Sequence, residues 1–152
     1  MAQIETRHLF TMPMKAERRP YGHTPLGERL LVVVTEATIE GPRLRASLLP
    51  GGTDWLTVTP DETILLDCRL LFETDDGAMI AMTYRGLRHG PPGTIARVNR
   101  GEALDPSLFY HRVAVFFETS SPKYAWLNKM LAIGARAANA QHGAAYEVFE
   151  VL

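Results

Sequence analysis

The sequence predicts an all-β protein, from two observations. Short apolar runs broken by Gly, Pro and Asp recur along its 152 residues, the pattern of strands joined by tight turns. Specific turn pairs sit between those runs, Pro60-Asp61 and Asp75-Asp76-Gly77 among them, and Asp-Gly is a pair that two-residue hairpins favour.

The predicted strands, in order, are residues 8–14, 30–39, 43–49, 55–59, 63–73, 78–86, 110–119 and 144–152. Gly41-Pro42 opens the third. Pro50-Gly51-Gly52 then bends the chain before Asp54 and Trp55. Residues 63–73 and 78–86 flank the Asp-Gly turn and form the clearest hairpin. Residues 87–109 are rich in Gly, Pro and Arg and too long for a hairpin loop, which leaves a binding loop or a short surface helix. In 123–141, Trp126, Met130 and Ile133 fall at helical spacing among alanines, and the bare sequence leans helical there. About eight strands in so short a chain must hide their edges. A closed barrel does so, and a two-sheet sandwich is the competing arrangement.

Composition narrows the function classes. With 16 Lys+Arg against 17 Asp+Glu, no general positive field is available to hold nucleic acid or an anionic membrane. Cys68 is the single cysteine, so no intramolecular disulfide forms and a reducing compartment is expected. Glu5, Arg7 and His8 interrupt the N-terminus where a signal peptide needs an apolar run. No stretch approaches the ~20 apolar residues of a membrane helix. The expectation is one cytoplasmic domain over residues 1–152.

Strand parity groups the candidate site residues. Ile64, Leu66, Cys68, Leu70 and Phe72 share an apolar face, while Asp67 and Arg69 share the other, ~7 Å apart between alpha carbons. That pair is either a solvated ion pair outside the sheet or the wall of a polar lumen. On 110–119, Arg112 and Glu118 share the face opposite His111, and six residues put them roughly 20 Å apart. Tyr84 has the parity of Ile80 and Met82, as a core tyrosine with a polar tip would. Asp54 is either the centre of an Asx-turn beside Gly52 or a buried acid or base. Trp55 packs a core or a pocket wall.

Other chemistries lack a pattern. His8, His23, His89, His111 and His142 have no paired spacing and no partner cysteines, so no metal is expected. Nucleotide-cradling glycine motifs and a GxSxG elbow are absent, and no cofactor is expected. Cys68, on the apolar face, reads as inert core.

The blocks GPRLRASLLPGGTDW, LLDCRLLFETDDGAMI, MTYRGLRHGPP, YHRVAVFFET and KYAWLN, in this order, resemble the DUF3237 family, also called UPF0311. The resemblance implies a closed, antiparallel, calycin-like β-barrel of about eight strands with a central cavity. It implies a strand over 125–133, against the helical lean. It places polar positions on Asp54, Asp67, Arg69, Tyr84, Arg112, Glu118 and Asn128, with Trp55 and Trp126 as aromatic walls. The chain departs from the family pattern at Thr35-Glu36-Ala37, where members often carry Gly-Gly. Ala46 stands at a usual glycine, and His111 stands for an aromatic.

Three functions fit these residues. The first is a cofactor-independent isomerase, cyclase or hydrolase acting on a small organic acid or ketone. Asp67 or Glu118 would then be its acid or base, and Arg69 or Arg112 would hold a carboxylate or stabilise a developing enolate or oxyanion. The second is a non-catalytic binder of a small hydrophobic or acidic ligand. The third is a scaffold with a filled interior. A homodimer is the expected assembly, as the commonest symmetric form.

Overall fold

The computed structural model describes residues 1–137 and 144–152. The end of the helical reading of 123–141, and His142, fall in 138–143, outside the described residues. Among the described residues, nine strands form one antiparallel sheet: β1 Thr6–Thr24, β2 Gly27–Glu40, β3 Arg45–Leu48, β4 Gly52–Val58, β5 Ile64–Thr74, β6 Met79–His89, β7 Tyr110–Glu118, β8 Ala132–Arg136 and β9 Ala144–Val151. Pairing runs β1-β9-β8-β7-β6-β5-β3-β2-β4, and the added pairs β1–β2 and β5–β4 close it into a ring. Among the described residues, no helix is long and apolar enough to cross a membrane.

Alternation fixes which side chains go inside. β5 buries Ile64, Leu66, Cys68, Leu70 and Phe72, and turns the residues between them outward. β7 does the same with His111, Val113, Val115 and Phe117. Each buried Ile, Leu, Val or Phe among these stabilises the ring by roughly 1.5–3 kcal/mol. The predicted hairpin is present, with Glu73 opposite Met79 and Ile64 opposite Arg88. Gly77 takes φ +85° in its turn.

β3 and β4 act as one strand with a corner in it. Thr38 faces Ser47 and Val34 faces Gly52, so four steps along β2 meet five along the partner. That is one extra residue, a bulge at the Pro50-Gly51-Gly52 corner. Gly51 has φ +110°, and a Cβ on Gly52 would stand 2.7 Å from Leu70 Cδ2. The positive φ favours glycine at Gly51, and a side chain at Gly52 would require Leu70 to shift.

β1 is longer than the predicted 8–14. It pairs with β9 from Thr6 to Met14 and with β2 from Thr11 onward, so beyond Met14 β2 is its one partner among the described residues. The projecting arm carries Glu17, Arg18, Arg19 and Pro20. Charges and a proline are what an edge strand tolerates, and they mask the strand in the sequence.

The region 125–133 departs from both sequence readings. Ala125–Lys129 is a 3-10 helix, and the strand starts only at Ala132. Asn128 explains the delay. Its Oδ1 accepts from Thr119 N–H at 2.8 Å and its Nδ2 donates to Thr119 O at 2.9 Å, occupying backbone groups that a ladder would use. Leu127 anchors the turn from beneath, fully buried. Within 87–109 the chain forms a short helix, α1 Thr94–Asn99, and a 3-10 turn, Pro106–Leu108. Ile95 and Phe109 tie this segment to the core.

Candidate functional site

Two rows of side chains on the buried face build a pocket. Asp54 lies opposite Cys68, and Cys68 opposite Tyr84, across β4, β5 and β6. Further along, Arg88 faces His111 and Arg136 faces Tyr146. The pocket encloses about 610 Å³, with Arg18 from the β1–β2 arm and Asn99 of α1 completing its wall. That volume suits one small organic molecule.

Asp54 is 5 % exposed. Its Oδ1 accepts one backbone hydrogen bond, from Asp67 N–H at 3.0 Å. Burial raises its pKa from 3.8 to about 6, against the pull of that amide and of Arg88. A carboxyl group so poised exchanges a proton near neutrality, which acid–base catalysis requires.

His111 is 2 % exposed, and its Nε2 shares a 2.8 Å hydrogen bond with the Tyr146 hydroxyl. Burial, then Arg88, Arg136 and Arg112, lower its pKa to about 3, so the imidazole is neutral. Its Nδ1 has no hydrogen-bond partner among the described residues. Whichever tautomer is present, one ring nitrogen is left unmet. Tyr146 also packs against Tyr84, ring centroids 5.6 Å apart. Burial pushes both phenols above their ordinary range, so both are neutral donors.

Arg88 is 6 % exposed and its Nε has no partner among the described residues. Desolvation lowers its pKa to about 10, and the neighbouring Arg18 and Arg136 add to the effect. It therefore stays charged at neutral pH. The Cys68 thiol, fully buried, is pushed up by burial and by Asp54 and is no nucleophile. Among the described residues, no group of three or more His, Cys, Asp or Glu is arranged to hold a metal ion.

The residues singled out in the sequence are divided between two faces. Asp54 and Tyr84 line the pocket. Asp67, Arg69, Arg112 and Glu118 point outward, and the polar-lumen expectation for them is corrected: the apolar face of β5 and β7 is the interior. Asp67 Oδ2 instead meets Arg85 at 3.4 Å on the outer surface. Arg112 bonds the His111 carbonyl at 2.9 Å and reaches over Tyr110. Trp55 also faces out, 45 % exposed, edge-on to Tyr21. Trp126 sits under the Arg43 guanidinium at 4.0 Å, and Asn128 staples Thr119, both away from the pocket.

Arg88, His111, Arg136 and Tyr146 were not singled out as site residues, although a signal exists. Each stands on, or at the end of, a stripe that is otherwise apolar: His111 before Val113, Val115 and Phe117, Tyr146 before Val148, Arg88 after Ile80, Met82 and Tyr84. A lone polar residue at that parity points inward with its neighbours.

Comparison with known proteins places the chain among relatives. The family model DUF3237, a protein of unknown function, matches residues 4–151. The UPF0311 protein RPA1785 of Rhodopseudomonas palustris is 33% identical over 138 residues, 90% of each chain. The crystal structure of RPA1785 superposes with a TM-score of 0.92 at 31% identity, covering 100% of both chains. A β-barrel-like protein of Acinetobacter baumannii has a TM-score of 0.78 at 33% identity, over 99% of this chain and 96% of that one. The hydroalkoxylation enzyme phnH of Penicillium herquei is 33% identical over 106 residues, 70% of this chain and 56% of the fungal one.

Proposed function

The chain belongs to the DUF3237 family, and on that premise we propose that it is a cofactor-independent acid–base catalyst working inside a β-barrel pocket. The ring of pairings supports reading the fold as a barrel, calycin-like in holding one small ligand at an open end. Asp54 carries the proposal: a buried carboxyl group with a pKa of about 6, lining a pocket it shares with a buried cation, Arg88.

The reaction class we assign is the one in the fungal relative's name, addition of a hydroxyl O–H across a carbon–carbon double bond. Asp54, as carboxylate, takes the hydroxyl proton. The oxygen bonds to one alkene carbon, and the π pair passes to the other. That carbon takes the proton back from Asp54 in the same step, so no free carbanion forms and the enzyme ends unchanged. Arg88 stabilises the oxyanion as it forms. A pocket of about 610 Å³ favours a substrate carrying both groups, which closes to a cyclic ether.

The test is incubation with a panel of 2-allylphenols, separating the cyclic isomer by chromatography. Turnover by the wild type and its loss in Asp54→Asn is the expected result. Equal rates in both would sink the acid–base role. Binding without turnover in the wild type would leave a non-catalytic binder.

A further inference from the structure

The pocket gathers more positive charge than its walls neutralise. Arg18, Arg88 and Arg136 all line it. Asn99 Oδ1 accepts from Arg18 at 3.1 Å and from Arg88 at 3.2 Å, so two guanidinium groups converge on one neutral oxygen. Like charges held this close repel unless an anion stands between them.

The other charged groups on the pocket wall do not supply that anion. Lys15 pairs with Glu36 at 2.9 Å on the arm. Glu102 is engaged by Arg97 at 2.7 Å and Arg100 at 3.1 Å. His111 is neutral and brings no charge. Among the described residues lining the pocket, Asp54 remains the one carboxyl group that no cation bonds. Arg88 Nε, almost wholly buried and without a partner among the described residues, is a donor awaiting an acceptor. His111 Nδ1 is a second unmet atom in the same wall.

We infer that the pocket takes a small organic carboxylate, its charged group seated among Arg18, Arg88 and Arg136 with Arg88 Nε as one donor. This rests on the pocket being the ligand site and adds the class of ligand. Guanidinium groups suit the role because they stay charged and offer paired, planar donors. A carboxylate at this end leaves the rest of the molecule lying toward Tyr84 and Asp54.

Titration calorimetry with 3-allyl-4-hydroxybenzoate and its methyl ester at pH 7 tests the inference. The two differ by one charge at the same place. The acid should bind the wild type at least tenfold more tightly than the ester, with affinity falling as salt rises. Arg18→Gln and Arg136→Gln should each weaken the acid about tenfold, the size of one charged hydrogen bond, and leave the ester unchanged. Arg18→Lys and Arg136→Lys, which keep the charge, should recover part of the loss and so separate recognition from misfolding. An ester that binds as well as the acid, an acid that fails to bind at millimolar concentration, or unaltered acid affinity in both Gln variants overturns the inference. None of these outcomes bears on cyclisation of a neutral 2-allylphenol by Asp54, so the two proposals fail separately.

Discussion

The two ends of β9 treat a buried carboxyl group in opposite ways. At one end Glu150, 7 % exposed, is covered by Arg7 at 2.5 Å and Arg43 at 3.0 Å. Those bonds hold its pKa below the usual carboxylate range. Four residues back on the same face, roughly 13 Å along the strand, Tyr146 opens onto the pocket where Asp54 has one amide for a partner and a pKa of about 6. Low exposure is common to both. The difference is that two guanidinium groups bond Glu150 directly, whereas Asp54 is bonded by one backbone amide and, among the described residues, by no cation. One end is a staple, and the other keeps its electrostatics open.

The sharpest way to break this contrast is to remove the open carboxylate. Asp54→Asn should cut turnover by ~10²–10⁴-fold, the usual worth of an acid–base group, with the folded state retained by circular dichroism. In the wild type, kcat/KM should inflect near pH 6, where Asp54 titrates. An inflection near pH 4, or none, would mean that Asp54 is not the titrating group.

Stability against pH tests the same residue with no substrate. The folded pKa of Asp54 lies above its unfolded value of 3.8, so its stabilising contribution is complete below pH 3.8 and is lost as pH rises through about 6. The span corresponds to about 3 kcal/mol. His111 has the reverse sign: depressed from 6.5 to about 3, it contributes fully above pH 6.5 and loses that contribution as pH falls toward 3. Denaturant titrations of wild type and Asp54→Asn should therefore diverge between pH 3.8 and 6, with the variant gaining relative stability as pH rises. Parallel curves would remove the case for a perturbed carboxyl group.

The stapled end should respond structurally instead. Arg7→Met with Arg43→Met strips Glu150 of both partners and removes the cation from Trp126, at a cost of ~2 kcal/mol in chemical denaturation. Binding in the pocket should be untouched. The smallest effects belong to the outer surface. Asp67→Asn and Glu118→Gln should each change stability by less than ~1 kcal/mol and leave turnover as it was. A large loss of turnover in either would return the chemistry to the outer face.

The fold was largely legible in the sequence because burial and turn chemistry write themselves locally. The period of two in ILLDCRLLF, the Asp-Gly turn and the Pro-Gly-Gly corner each appear in the structure as strand, hairpin and bulge. The site was less legible because Asp67-Arg69 and Arg112-Glu118 draw the eye as charged pairs, and charge clusters are commonest on surfaces. The pocket uses single polar residues set on apolar stripes, brought together from β4, β6, β7, β8 and β9. Ring closure brings these together, and no local window of sequence shows it. Asn128 escaped for a related reason. Its two bonds to Thr119 are a local side-chain choice that overrode both the helical spacing and the strand implied by resemblance.

The projecting β1–β2 arm bears on how such a protein diversifies. Asp54, Tyr84, His111 and Tyr146 stand on ladder strands fixed from both sides, whereas Arg18 stands on the arm beyond Met14, bound by β2 alone, and Asn99 on α1. Substitutions in the arm and helix can accumulate while the β4–β5, β6–β7 and β8–β9 ladders that hold the other pocket residues stay as they are. The rim of the pocket at Arg18 and Asn99 can therefore change over evolutionary time while its floor at Asp54, Tyr84, His111 and Tyr146 is inherited in place.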